Sequence, residues 1–63
     1  MNRESLLKYG IKVFNNEIDK FSRWLLKPNI ALGDKIPNDL LETLEGRVEV
    51  KNILDKIEYG NFA

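Results

Sequence analysis

Cysteine and histidine are both absent from these 63 residues. Without thiols no disulfide can staple the fold, and without thiolate or imidazole ligands the commonest zinc and copper sites are excluded. The lack of cysteine also fits a reducing, cytoplasmic setting. Carboxylates do not gather around a glycine as a calcium loop requires. Ser5 and Ser22 have no imidazole to activate them, so nucleophilic catalysis by the usual triads and dyads is out of reach. No apolar run approaches the roughly 18 residues of a membrane span. The opening MNRESLLKYGIKVF has neither an apolar h-region nor a small-residue cleavage site, and does not read as a signal peptide.

A chain this short is expected to form a single domain over residues 1–63. Folding at this size hides only about 60% of the unfolded surface, so a stable fold calls for assistance. With disulfides and metals excluded, self-association is the remaining aid. The net charge of zero conceals an asymmetry. Residues 1–27 carry six basic and three acidic side chains, whereas residues 28–63 carry four and seven. A nucleic-acid reader usually presents a basic face. Here Lys8, Lys12, Lys20, Arg23 and Lys27 are interrupted by Glu17 and Asp19, the pattern of a solvated helix.

Leu7, Ile11, Phe14, Ile18, Phe21 and Leu25 are spaced 4, 3, 4, 3, 4, which predicts one long helix over residues 4–26. Asn2 or Ser5 can cap it, and Pro28 ends it. Gly10 within it marks a close helix contact or a fray point. The segment KPNIALGDKI reads as an ordered loop with Ile30 and Leu32 tucked under the helices. Pro37 opens a short helix over 37–45 with Leu40, Leu41 and Leu44 buried, and Gly46 breaks it from a third helix over 47–59. Gly60 suits the left-handed residue after that helix. The expected fold is all-α, a small bundle of one long N-terminal helix and two shorter ones joined by the ordered loop. Its predicted core is Ile11, Phe14, Ile18, Phe21, Leu25, Leu40, Leu44, Val50, Leu54 and Ile57.

Fixed Trp, Pro, Asn and Gly positions carry more than apolar periodicity, because each demands a special shape or backbone angle. Trp24-Leu25, Pro28-Asn29, Leu32-Gly33, Pro37, Leu40-Leu41, Thr43, Gly46, Val50, Leu54, Ile57 and Gly60 occur in that order across about forty residues without insertion. This ordered set resembles the toxin-binding domain of Xre/MbcA/ParS-type antitoxins. The resemblance implies a protein that binds and neutralises a RES-domain toxin, an NAD-degrading enzyme, by obstructing its nucleotide pocket. It implies an inhibitor that needs no cofactor and performs no catalysis. Family antitoxins commonly carry a helix-turn-helix as well. The stretch before Trp24 reads as a single helix, too little for one.

The residues expected to meet the partner are Trp24, Pro28, Asn29, Leu32, Gly33, Tyr59, Gly60, Asn61 and Phe62. For Trp24 the simpler role is a lid on the core, and for Pro28 through Gly33 it is turn building. Phe62 lies beyond the helix stop and either returns to the core or projects toward a partner. Glu42, Glu45, Glu49, Asp55 and Glu58 read as a solvated face, since so small a chain offers no pocket to split carboxylate pKa values. A homodimer is expected from the apolar width of the first helix. The alternatives are a DNA-binding repressor fragment using the basic helix, or an orphan helical interaction domain.

Overall fold

The seam that predicts one N-terminal helix is divided between two. The computed structural model describes residues 1–60, with α1 at Arg3–Val13 and α2 at Ile18–Leu26. Asn2 caps α1, its Oδ1 accepting the Ser5 N–H at 2.7 Å. The helix stops because Asn15 and Asn16 turn left-handed, with φ of 57° and 65°. Asn15 N–H donates to the Lys12 carbonyl at 3.0 Å and Asn16 N–H to that of Ile11 at 2.9 Å. This crossed pair satisfies carbonyls that a helix end otherwise leaves orphaned. Asparagine enters the left-handed region more readily than other side chains, and two in succession outweigh a seam that specifies only which residues face inward. Phe21 then folds back across Gly10, where a Cβ would lie 2.1 Å from the ring's Cζ. Gly10 is therefore the close contact, not a fray point.

Pro28 ends α2 at Leu26, as expected, with Lys27 extended before it. Two 3-10 helices follow, η1 at Ile30–Leu32 and η2 at Pro37–Glu42. Pro37 occupies the first position of η2, but this element is tighter than the α-helix expected over 37–45 and ends sooner. The last helix, α3, runs Leu44–Tyr59 and begins before Gly46. Thr43 caps it by accepting the Gly46 N–H at 3.0 Å. Gly46 thus does not break the chain. It lies in the first turn of α3, where a Cβ would sit 1.9 Å from the Leu40 carbonyl oxygen. Gly60 ends α3 with φ 68°, as predicted.

The buried core is Leu6, Val13, Phe21, Leu25, Leu32, Leu41, Val50, Ile53 and Leu54. Ile11, Phe14, Leu40 and Ile57 pack half-buried against it. Two expected core residues are exposed. Ile18 becomes the first residue of α2 once the chain has turned and is 58% exposed. Leu44 becomes the first residue of α3 and leaves the η2 face. Ile30 also points outward, at 88% exposure, while Leu32 tucks in. The split removes the broad stripe that a single helix would offer to a second copy. The described residues form no strand, only an isolated bridge between Asn29 and Lys35. Arg47 ties the layers together: Nη1 donates to the Leu41 carbonyl at 2.8 Å and Nε to that of Met1 at 3.2 Å.

Candidate functional site

Asn29 organises the connection after α2. Its N–H donates to the Lys35 carbonyl at 3.0 Å, and its own carbonyl accepts the Leu32 and Asp34 N–H groups, each at 2.9 Å. The side-chain Oδ1 takes the Ala31 N–H at 2.9 Å. Gly33 and Asp34 both adopt left-handed angles, φ 67° and 65°, which closes the loop. Asn29 thus bonds to four residues of the loop, and its expected turn-building role is met by both backbone and side chain. Leu32 faces the core, while Pro28, Ile30 and Gly33 face solvent.

Between this loop and α3 lies an open groove of about 460 Å³. Leu32 and Ile53 give it an apolar floor, with Gly33, Lys35, Glu49, Asn52 and Lys56 around it. Asn52, Lys56 and Tyr59 are spaced as neighbours on one side of α3, so the groove leads toward the end of that helix. There Tyr59 is 72% exposed, and Gly60 donates its N–H to the Lys56 carbonyl and turns left-handed. Leu32 and Gly33 line the groove, and Tyr59 follows Lys56 along the side of α3 that borders it. Asn61 and Phe62 lie outside the described residues.

Trp24 is placed differently. It stacks on Phe21 at 6.2 Å between ring centres and tilts against Phe14 at 5.9 Å. Phe14 in turn meets Phe21 at 5.4 Å. The half-buried indole fits the lid reading and does not line the groove. Lys35 of the loop and Asn52, Ile53 and Lys56 of α3 are not among the expected contacts; on α3 the only signal is a polar edge at helical spacing beside Ile53.

One polar cluster also escaped sequence reasoning. Tyr9 donates its hydroxyl hydrogen to Asp55 Oδ1 at 2.5 Å, and Lys51 Nζ reaches Oδ2 at 2.9 Å. The Lys51 ammonium also lies 5.6 Å from the Tyr9 ring centre. The Tyr9 hydrogen bond, followed by that of Lys51, holds the Asp55 carboxyl below its ordinary range. The same bond to Asp55, with burial second, pushes Tyr9 up to about 12. A neutral phenol and a firmly ionised carboxylate make a clamp between α1 and α3, since neither is poised for proton transfer near neutrality. Among the basic residues, Lys8 pairs with Glu4 at 3.3 Å and Lys20 with Glu17 at 3.2 Å, which breaks any continuous cationic stripe. No group of acidic residues among those described is arranged to hold a metal ion.

The family profile of the antitoxin Xre/MbcA/ParS C-terminal toxin-binding domain matches residues 10–60. An antitoxin Xre from Photorhabdus laumondii is 31% identical over 55 residues, covering 87% of this chain and 37% of the relative. An antitoxin Xre from Yersinia enterocolitica is 32% identical over 54 residues, covering 86% and 36%. A Sphingobium protein named Prs ADP-ribosylating antitoxin is 48% identical over 42 residues, covering 67% and 26%. The chain therefore spans between 26% and 37% of the length of these relatives. No solved structure matches it.

Proposed function

The chain belongs to the family of antitoxin Xre/MbcA/ParS C-terminal toxin-binding domains, and on that premise we propose that it neutralises an NAD-degrading RES-type toxin by covering the entrance to its nucleotide pocket. The observation that carries this reading is the end of α3. A 72% exposed aromatic ring, Tyr59, stands beside a left-handed stop at Gly60, and the toxin-binding match extends to that residue. Gly60 ends the helix, and the sequence continues with Asn61-Phe62-Ala63. The relative named for ADP-ribosylation supports an NAD-handling partner, because NAD is the usual ADP-ribosyl donor. The groove floored by Leu32 and Ile53 extends the same side of the molecule and gives the toxin a second foothold.

Binding rather than turnover is the mode of action. A ring buried against the toxin contributes about 2 kcal/mol, enough for more than tenfold in affinity. The DNA-binding alternative is weaker: α2 lies wholly inside the matched toxin-binding stretch, and Lys20 there is already paired.

The test mixes a cognate RES-type toxin with NAD and graded amounts of the antitoxin, then measures NAD remaining. Tyr59→Ala and a chain lacking residues 61–63 are expected to protect NAD about tenfold less well, with helical content unchanged. Full protection by both variants would remove the end of α3 from the inhibitory surface.

A further inference from the structure

The seam Leu7, Ile11, Phe14, Ile18, Phe21, Leu25 keeps its helical phase straight through the turn that separates α1 from α2. A turn that serves only to fold the chain back has no need of that phase. In one continuous helix the six side chains would share a face, whereas the fold-back divides them and leaves Ile18 on the surface. The turn is closed by local backbone bonds, Asn15 to Lys12, Asn16 to Ile11 and Glu17 to Phe14. Asn15 and Asn16 occupy a region that side chains enter reluctantly, and Glu17 provides no side-chain cap for α2. The anchors of α1 lie elsewhere, in the Tyr9–Asp55 bond, the Met1–Arg47 bond and the buried Leu6. It packs more extensively on α3 than on α2.

We propose that residues 14–17 form an exchange hinge. Straightened into helix, they join α1 to α2 and carry α1 onto the α3 of a second copy, which returns its own α1 in a closed two-fold exchange. The α1 docking site has the same occupant in both states, so Tyr9–Asp55 and Gly10–Phe21 contacts persist between chains instead of within one. What changes is the hinge. The closed form holds two asparagines left-handed, and the exchanged form replaces that turn with helical hydrogen bonds and brings Ile18 back onto a continuous seam.

The test replaces both hinge asparagines in the full chain. Asn15→Ala with Asn16→Ala disfavours the left-handed turn and favours helix, whereas Asn15→Gly with Asn16→Gly accepts the turn at no steric cost. Sedimentation equilibrium should show the alanine pair raising the dimer association constant by at least about tenfold over wild type, from the left-handed penalty at two positions. The glycine pair should hold the monomer. In the alanine dimer, isotope-filtered NOEs between a labelled and an unlabelled chain should connect Gly10 of one to Phe21 of the other. A folded alanine variant no more dimeric than wild type overturns the hinge, as does a dimer whose Gly10–Phe21 NOEs stay within one chain. Should the double alanine variant fail to fold, Asn16→Ala alone is read by the same two measurements.

Discussion

Replacing Gly46 by alanine sets two effects of opposite sign against each other. In an unobstructed helix the exchange stabilises by about 1 kcal/mol, through propensity alone. At Gly46 the new Cβ would lie 1.9 Å from the Leu40 carbonyl oxygen, 2.8 Å from its carbon and 3.0 Å from its Cα. All three are backbone atoms, so no side chain can swing aside. Restoring ordinary contact requires η2 to retreat by roughly 1.5 Å. That retreat loosens Leu41 and Pro37, both fully buried, and strains the Arg47 bond to the Leu41 carbonyl. Overpacking costs about 1–3 kcal/mol where side chains can adjust, and backbone obstruction belongs at the upper end. After the propensity gain, a net loss of about 2 kcal/mol remains. For a domain of this size each 1 kcal/mol moves Tm by about 4–8 °C, so Gly46→Ala should melt about 8–16 °C lower. Circular dichroism at the helical minimum measures it directly. Gly10→Ala provides the comparison: its obstruction is the Phe21 ring, which can shift, and the loss should be smaller. A Gly46→Ala protein that melts at or above wild type would refute the packing of η2 on α3.

The Tyr9–Asp55 clamp makes stability depend on pH at both extremes. Asp55, held below its ordinary value of 3.8, contributes fully above that value and loses its contribution as pH falls through the depressed one. Tyr9, raised from 10.0 to about 12, contributes fully below 10.0 and loses its share as pH climbs toward 12. Urea midpoints measured from pH 3 to 11 should fall at both ends for wild type and flatten in Tyr9→Phe; identical profiles would dismiss the clamp. Asn29→Ala removes the acceptor for the Ala31 N–H and should cost about 1 kcal/mol. Amide hydrogen exchange should then accelerate at Ala31 with α1 unaffected, and unchanged protection at Ala31 would argue against the brace.

The all-α class, the stop at Pro28, the cap at Asn2 and the left-handed Gly60 were legible because each follows from local chemistry. The α1–α2 break was also written locally, in Asn15-Asn16, but the apolar seam concealed it: period reports which face is buried, not whether the helix is continuous. Gly46 misled in the other direction. A glycine inside a helical pattern suggests a break, whereas its cause here is the approach of Leu40, a tertiary contact with no local signature. Tyr9 and Asp55 stand 46 residues apart, beyond any window of spacing. At the candidate site, Leu32, Gly33 and Gly60 could be named from the ordered motif and turn chemistry, and Tyr59 from its place beside the helix stop. The α3 residues that border the groove could not, since helical spacing alone leaves undetermined which loop lies alongside.

Leu6, at 1% exposure, is among the most deeply buried side chains, yet it precedes the first residue matched by the family profile. The same is true of Tyr9 and of the Met1 carbonyl that receives Arg47. The first residue matched by the family profile and the start of the buried core therefore fall at different places. A segment beginning at Gly10 would keep the stretch matched by the family profile and still lack Leu6, a member of the core cluster that holds Val50 and Leu54. Engineering that trims this module to its recognisable stretch would open a cavity rather than isolate a domain.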